Sequence, residues 1–128
     1  MYKVFIDGAH GTTGLRINEY LAGRTDIQII EIDPEKRKDT EARIIMIKEA
    51  DVSILCLPDQ ASREIAAAAP ADSVIIDTST AHRTDPEWTY GMPELTADQR
   101  DRIRSSTRIA NPGCHASGVN ALIYPLIR

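Results

Sequence analysis

A glycine-rich segment between a strand pattern and a helix pattern constrains the fold of this chain most strongly. Residues Gly8–Gly14 read Gly-Ala-His-Gly-Thr-Thr-Gly, with glycine at every third position. Before them, Tyr2–Asp7 has the β-branched and aromatic composition of a strand; after them, Thr13–Ala22 has helical spacing, with Gly23 as its expected C-cap. A strand, a glycine turn and a helix in this order are typical of a diphosphate site, where N–H groups at the helix start bind the anion. The segment therefore predicts dinucleotide binding.

The three glycines of this segment have separate expected roles. Gly8 lets the chain leave the strand with unusual dihedral angles, and Gly11 lacks a Cβ, so a diphosphate can approach the backbone. Gly14 lets the helix pack closely against the sheet. The polar side chains of the loop are further candidate cofactor contacts: His10, Thr12 and Thr13.

Strand and helix patterns alternate up to residue 77. The apolar runs Ile27–Ile32, Val52–Leu57 and Val74–Asp77 predict three more strands, with helices predicted over Thr40–Glu49 and Asp59–Ala69. Strands that are apolar on both faces and separated by helices indicate a parallel sheet covered on both sides. The expected fold class is α/β, a Rossmann-like, doubly wound and mainly parallel sheet.

The second half of the chain has a different texture. Thr78–Leu95 is predicted as loop, Thr96–Ser105 as a polar helix capped by Thr96, and Arg108–Ala110 as a short strand. Cys114–Ile127 returns to a helical pattern.

The last predicted helix has an apolar stripe formed by Val119, Leu122, Ile123 and Leu126. Such a face requires something to pack against. We therefore expect the chain to be a piece of a longer polypeptide; the alternative is a small domain with a docked terminal helix.

Composition excludes several classes of protein. Fifteen Lys and Arg against nineteen Asp and Glu give a net charge of −4, which argues against a broad nucleic-acid-binding face. The apolar runs are far shorter than the roughly 18 residues of a membrane helix, and the N-terminus does not resemble a signal peptide. Cys56 and Cys114 are the two cysteines, too few for a disulfide scaffold, so we expect a reducing, cytoplasmic location.

The residues after the second predicted strand bear on the choice of dinucleotide. Glu31 and Asp33 lie about 20 residues after the glycines, where an acidic residue binds the ribose in NAD sites. The cations of Lys36–Lys38 follow at once and favour the 2′-phosphate of NADP(H), with Arg37 as the main expected contact. A solvated charged turn is the alternative.

Cys114 is the candidate nucleophile. It follows a rigid Asn-Pro-Gly turn and begins a predicted helix, whose positive N-terminal end favours the thiolate. Cys56 provides a contrast, because it lies in a predicted buried strand, where a thiol is normally an inert small hydrophobe.

The segment Asp77–Arg83 should border the site, since ligands of open parallel sheets bind beyond the carboxyl ends of the strands. Ser79 and Thr80 are candidates to contact the nicotinamide half of the cofactor. Arg83 is a candidate to bind a phosphate or carboxylate of the substrate through both arms of its guanidinium. Satisfied loop hydroxyls and a surface arginine are the structural alternatives.

Four motifs occur in order, namely Gly8–Gly14, Asp77–Arg83, Tyr90–Leu95 and Asn111–Cys114. Together they resemble the shorter type of N-acetyl-gamma-glutamyl-phosphate reductase of arginine biosynthesis, over essentially the whole chain. The resemblance implies NADPH-dependent reduction of N-acetyl-L-glutamyl 5-phosphate to N-acetyl-L-glutamate 5-semialdehyde and phosphate. It implies a thioester on Cys114, with the Asn111 amide beside the reacting carbonyl.

The resemblance also implies a domain division. Residues 1–113 would bind the dinucleotide, and residues 114–128 would begin a catalytic and dimerisation domain of α+β type that is largely absent from this chain. It implies a homo-oligomeric full-length enzyme without a metal, whose acid–base histidine lies further along. We thus expect the 128-residue chain alone to be inactive.

His115 departs from the resemblance, which has a mostly aromatic residue, often Tyr, after the cysteine. A catalytic role for His115 is not expected, since neighbours in sequence do not face each other on a helix. An aspartate-semialdehyde dehydrogenase-like reductase and a non-catalytic NADP-binding fragment are the alternative functions.

Overall fold

The computed structural model describes residues 1–127. Its strands and helices alternate along most of the chain, in the order β1 Tyr2–Asp7, α1 Thr12–Leu21, β2 Ile27–Ile30, α2 Thr40–Glu49, β3 Val52–Leu55, α3 Asp59–Ala68, β4 Ile75–Asp77, β5 Thr89–Tyr90, α4 Gln99–Ser105, β6 Arg108–Ala110 and α5 Cys114–Ile127.

The strands form one six-stranded sheet in the order β2-β1-β3-β4-β6-β5, and every pairing is parallel. Val4 of β1 pairs with Ile29 of β2 on one side and with Val52 of β3 on the other. The chain thus runs from β1 to β2 at one edge of the sheet. It then crosses over to β3, which lies on the opposite side of β1. This reversal creates a crevice beyond the carboxyl ends of β1 and β3, and it confirms the expected Rossmann-like fold.

The core lies between the central strands and helices α2 and α3. Phe5, Leu55 and Ile75 are fully buried on β1, β3 and β4, and Ile47 and Ile65 cover them from the two helices. Burying a side chain of this size contributes about 1.5–3 kcal/mol. The core therefore fixes the central strands, whose ends carry the site.

Three strands are shorter than their apolar runs predicted, and β4 begins at Ile75 instead of Val74. β2 ends at Ile30 instead of Ile32, and β3 ends at Leu55 instead of Leu57. β1 lies between β2 and β3: its pairing with β3 stops at Asp7 and Leu55, where β1 ends before turning at Gly8, whereas its pairing with β2 stops earlier, at Phe5 and Ile30. Cys56 consequently lies just beyond β3 and is partly exposed, which corrects its predicted place inside a buried strand.

Two predicted helix ends are also wrong. Helix α1 begins at Thr12, one residue earlier than predicted. Its C-cap is Ala22, which has right-handed helical dihedral angles, so Gly23 is not the C-cap. Helix α4 begins three residues later than expected because Asp98 is its N-cap, and the hydroxyl of Thr96 instead donates to the Asp98 carboxylate at 2.7 Å.

The two-residue strand β5 was not predicted from the sequence. It is held at the edge by β6 and by buried Gln99, whose Nε2 donates to the Tyr90 carbonyl at 2.5 Å. A strand of this length is too short to leave a periodic pattern.

The apolar stripe predicted on the last helix is confirmed. Leu122 and Leu126 of α5 are 73% and 79% exposed, and Val119 and Ile123 are also exposed. Within residues 1–127, no helix combines the length and apolar character needed to cross a membrane.

Candidate active site at the carboxyl edge of the sheet

The turn after β1 accepts only glycine at two positions. Gly8 has a φ of +86°, and a Cβ at this position would lie 2.3 Å from the carbonyl oxygen of Cys56. A Cβ at Gly14 would lie 2.3 Å from the carbonyl oxygen of Gly8, because α1 starts directly against the turn. At Gly11 a Cβ would meet only the Gly8 oxygen, at an ordinary 3.4 Å, so the surface above Gly11 is open.

A cavity of about 480 Å³ lies between this turn and the segment after β2. Its volume falls within the range of small-molecule sites. Its lining combines apolar side chains, charged residues and the glycine turn; it includes Ile6, Ile30, Ile32, Gly8, His10, Gly11, Glu31, Arg37, Lys38 and Arg43.

Helix α1 points its start at this turn. Gly11 is its N-cap and, among the described residues, no side chain caps it; Thr12 and Thr13 are exposed in its first turn. The first N–H groups of a helix without a side-chain cap favour an anion. A glycine cradle, an apolar wall and adjacent cations fit a nicotinamide dinucleotide.

An ion pair that the sequence did not predict forms part of the cavity wall. Asp7, at the end of β1, is 2% exposed, and its Oδ1 lies 3.3 Å from Nε of Arg43 on α2. The other oxygen, Oδ2, has no hydrogen-bond partner among the described residues. Burial raises the pKa of Asp7 to about 6, although the Arg43 charge and the Gly8 N–H act in the opposite direction. The available signal was a carboxylate closing an otherwise apolar strand.

Asp77 organises the loop after β4. Its buried carboxylate accepts from Ser62 Oγ at 2.9 Å, from Ser79 N at 3.0 Å and from Ser79 Oγ at 2.7 Å. His82 Nδ1 lies 2.6 Å from the second Asp77 oxygen, and the His82 ring stacks on Trp88 with centroids 3.9 Å apart. The loop is therefore held in one conformation by a single buried carboxylate.

The two hydroxyls predicted to contact the cofactor are both engaged within the protein. Ser79 Oγ donates to Asp77, and the N–H and hydroxyl of Thr80 both donate to the carboxylate of Asp59, at the start of α3. These bonds to Thr80 hold the pKa of Asp59 below its usual value. A ligand can then use either hydroxyl only as an acceptor.

Arg83 joins the loop after β4 to the turn after β6. Its Nε donates to the Asn111 carbonyl at 3.0 Å, and its Nη2 donates to the Thr78 carbonyl at 3.2 Å. Nη1 lies beside Gly113, where a Cβ would be only 2.5 Å away. Arg83 thus carries its charge to the turn that precedes Cys114.

Cys114 is exposed and is the first residue of α5. The N–H and the hydroxyl of Ser117 both donate to the Gly113 carbonyl, at 2.9 and 2.7 Å, and so fix the first turn of the helix. Cys114 Sγ lies 3.4 Å from His115 Nδ1. The expectation that these neighbours do not meet is wrong, because at the first residue of a helix no preceding turn blocks the histidine ring.

The second thiol has different surroundings. The Cys56 N–H donates to the Asp7 carbonyl at 2.8 Å, and burial raises the pKa of the Cys56 thiol. The nearby hydroxyl of Thr78 opposes that shift only in part.

The connections after four strands form one continuous edge. Gly8 packs on Cys56, the Thr78 N–H donates to the Leu55 carbonyl at 3.0 Å, and Arg83 reaches the Asn111 carbonyl. The glycine turn and the turn before Cys114 therefore share the carboxyl edge of the sheet. Asn111 is exposed there, with its N–H bonded to the Asp77 carbonyl and its amide 3.2 Å from the Pro112 carbonyl.

The family model for the semialdehyde dehydrogenase NAD binding domain matches residues 30–103, which is more than half of the chain. The chain belongs to this family. The match runs from the end of β2 into α4, and membership supports a nicotinamide cofactor.

Curated relatives cover nearly the whole chain. It is 49% identical over 126 residues to N-acetyl-gamma-glutamyl-phosphate reductase 2 of Pseudomonas putida, covering 98% of this chain and 40% of the relative. It is also 49% identical over 126 residues to N-acetyl-gamma-glutamyl-phosphate reductase of Rhizobium meliloti, covering 97% of this chain and 41% of the relative. The chain therefore spans about two fifths of the length of these relatives.

Solved structures share the fold. Aspartate semialdehyde dehydrogenase II of Vibrio cholerae superposes with a TM-score of 0.67 at 20% identity, over 98% of this chain and 42% of that one. Aspartate semialdehyde dehydrogenase of Francisella tularensis gives 0.61 at 15% identity, over 88% and 36%. At these identities the likeness establishes the fold alone.

Proposed function

We propose that this chain forms the cofactor-binding and nucleophile-bearing part of an N-acetyl-gamma-glutamyl-phosphate reductase. The reaction is NADPH-dependent reduction of N-acetyl-L-glutamyl 5-phosphate to the 5-semialdehyde and phosphate, a step of arginine biosynthesis. The observation that carries the proposal is the 49% identity to two such reductases over 126 residues, nearly the whole chain. Residues 1–113 bind the dinucleotide, and residues 114–128 begin the catalytic and dimerisation part.

Cys114 is the proposed nucleophile. Its thiolate attacks the carbonyl carbon of the acyl phosphate, the bond from that carbon to the phosphate oxygen breaks, and phosphate leaves with the electron pair. A thioester to Cys114 remains. The exposed position at the start of α5 supports this role, because the substrate can reach Sγ there.

The surroundings of Cys114 supply the electrostatics of acyl transfer. N–H groups at the start of α5 and the exposed Asn111 amide are donors for the oxyanion that develops on the carbonyl. Arg83, with Nη1 beside Gly113, brings positive charge to the position where the acyl phosphate must lie.

NADP(H) is the proposed cofactor, and when bound it supplies the hydride that reduces the thioester carbonyl. Gly8, Gly11 and Gly14, with His10, Thr12 and Thr13, form the diphosphate end. Arg37 lines the cavity and is the proposed contact of the 2′-phosphate, with Lys38 beside it. Ser79 and Thr80 face the nicotinamide end as acceptors. A cytoplasmic location and a homo-oligomeric enzyme remain predictions.

The test is oxidation of N-acetyl-L-glutamate 5-semialdehyde by NADP⁺, followed as NADPH formation with and without phosphate. The protein is assayed as residues 1–128 and with whatever residues its reading frame adds. We expect phosphate-dependent turnover that Cys114→Ser abolishes and Cys56→Ser leaves in place, because Cys56 only packs beside the glycine turn. Loss of a general acid–base group costs about 10²–10⁴-fold, so residues 1–128 alone should be slow.

Two outcomes count against the proposal. Faster phosphate-dependent oxidation of L-aspartate 4-semialdehyde would indicate an aspartate-semialdehyde dehydrogenase instead. Nucleotide binding without turnover in every form of the protein would indicate a non-catalytic NADP-binding module.

A further inference from the structure

The charged segment after β2 is attached to the sheet through one arginine. Arg43, on α2, donates from Nε to the carbonyl of Arg37 at 2.7 Å, and the same nitrogen lies 3.3 Å from Oδ1 of buried Asp7. Arg43 also lines the cavity that Arg37 and Lys38 line. Arg43 therefore spans from the buried end of β1 to the backbone of the segment that carries the exposed cations.

The Arg37 carbonyl and the Asp7 carboxylate interact with Arg43 in different ways. Nε of an arginine carries a single hydrogen, which the 2.7 Å bond directs to the Arg37 carbonyl. Asp7 at 3.3 Å then acts as the counter-charge that holds the guanidinium against the end of β1. Asp7 Oδ2 is left without a partner among the described residues, although the side chain is almost fully buried.

This arrangement costs stability. A buried carboxylate oxygen without a hydrogen bond is unfavourable, and burial makes ionisation of Asp7 harder. A buried charge pair is by itself weak evidence for stabilisation of a fold. A role in the cavity that it borders therefore explains the Asp7–Arg43 pair better than stabilisation of the fold does.

The segment from residue 33 to residue 39 has mainly local bonds of its own. The Lys36 N–H donates to the Asp33 carbonyl at 2.8 Å, the Asp39 N–H to the Lys36 carbonyl at 2.9 Å, and the Glu35 N–H to Asp33 Oδ1 at 3.0 Å. These bonds shape the turn but do not attach it to the sheet. The bond from Arg43 does so at Arg37, the residue whose side chain must be aimed.

We infer that Arg43 is a positioning residue for nucleotide choice: anchored by Asp7, it holds the Arg37 backbone so that the Arg37 side chain meets the 2′-phosphate of NADP(H). The inference rests on the proposed function, because it deepens the cofactor site of that reaction. Arg43 acts through its hydrogen bond to the Arg37 carbonyl. A positive charge at position 43 without this bond does not position the Arg37 side chain.

The binding test compares Arg43→Ala and Arg43→Lys with the exposed control Arg63→Ala on α3. Calorimetry measures binding of NADPH and NADH, and of 2′,5′-ADP and 5′-AMP as probes of the adenosine end. We expect both Arg43 variants to lose about tenfold in affinity for NADPH and 2′,5′-ADP, the worth of one charge-assisted hydrogen bond, and to change less than about twofold for NADH and 5′-AMP. Full rescue by lysine, or equal losses for all four nucleotides, would overturn the inference.

A second readout needs no ligand. Amide hydrogen exchange in residues 33–39 should be faster in both Arg43 variants than in the wild type, and unchanged in Arg37→Ala, which keeps the carbonyl acceptor. Unchanged exchange in Arg43→Ala would contradict the anchor. If the wild type binds no nucleotide, the cofactor proposal and the nucleotide-choice role both fail, and exchange alone decides whether Arg43 anchors the segment.

Discussion

His82 Nδ1 lies 2.6 Å from Asp77 Oδ2, and both side chains are buried. Asp77 ends β4 and also accepts hydrogen bonds from Ser62 and Ser79, so one carboxylate connects the sheet, helix α3 and the following loop. The loop leaves this carboxylate and brings Arg83 to the turn before Cys114. The turn before Cys114 is thus connected, through Arg83, to the loop that the buried Asp77 carboxylate organises.

Replacement of Asp77 should therefore destabilise the whole edge. Asp77→Ala leaves the buried donors of Ser62 and His82 and the partly buried donors of Ser79 without an acceptor, and we expect the free energy of unfolding in urea to fall by about 3 kcal/mol or more. Asp101→Ala, at an exposed position of α4, should change it by less than about 0.5 kcal/mol. If Asp77→Ala does not fold, Asp77→Asn should show a smaller loss in the same direction. Equal stability of Asp77→Asn and the wild type would contradict the organising role.

Alanine substitution of glycine should destabilise the turn after β1 and be tolerated in the last helix. Gly8→Ala and Gly14→Ala place a Cβ 2.3 Å from a backbone oxygen, so both should lower the melting temperature and nucleotide affinity. Gly118→Ala is the matched control, because nothing lies within 4 Å of its Cβ and alanine favours a helix by up to about 1 kcal/mol. A melting temperature at or above the wild-type value in Gly8→Ala would show that the turn is not constrained as described.

The two thiols should differ in reactivity. Cys114 is exposed at a helix start, whereas Cys56 is partly buried and burial raises its pKa. At neutral pH a small alkylating reagent should label Cys114 much faster than Cys56 in the folded protein, as measured by mass spectrometry of the two peptides. Faster labelling of Cys56 would argue against Cys114 as the nucleophile.

Asp7 should give the stability curve a specific pH dependence. Its pKa is about 6 in the folded protein, against 3.8 as the ordinary value, so the folded state retains a proton that the unfolded chain has lost. The free energy of unfolding should therefore fall as the pH rises from about 4 to 6, by up to roughly 3 kcal/mol, and Asp7→Asn should remove this slope.

Asp26 is the control of opposite sign. Arg24 lowers the pKa of exposed Asp26 to about 2, so Asp26→Asn should alter the curve only below about pH 4. Urea titrations at several pH values measure both variants. A wild-type curve that rises between pH 4 and 6, with no change in Asp7→Asn, would contradict the assigned burial of Asp7.

The sequence predicts the bounds of an element well where its hydrophobic periodicity agrees with the residues that end or cap it. The bounds of β1 and of α2 are as expected, because Gly8 and Asp39 end or cap them. The ends of β2 and β3 could not be found from their apolar runs, since they depend on where the pairing of each strand with β1 stops. β5 has only two residues and is held by β6 and by a buried glutamine from the following helix, which leaves no periodic pattern in the strand itself.

The sequence predicts the candidate site in part: it predicts where polar residues lie but not what they bind within the protein. Polar residues that follow strands were predictable, because parallel strands bring their carboxyl ends to one edge. What each side chain binds within the protein was not, as shown by Thr80 with Asp59 and by Arg83 with two carbonyls. The Asp7–Arg43 pair joins elements distant in the chain, and a charged residue on a helix that carries several charges does not reveal its partner.

Titration of NADPH and NADH against the wild type and Arg37→Ala tests the central claim, an NADP(H) site beside the glycine turn, most directly. We expect the wild type to bind NADPH more tightly than NADH. Arg37→Ala should weaken NADPH by about tenfold or more and leave NADH nearly unchanged, since only the 2′-phosphate contact is lost. Equal losses for both nucleotides, or no binding of either by the wild type, would contradict the account.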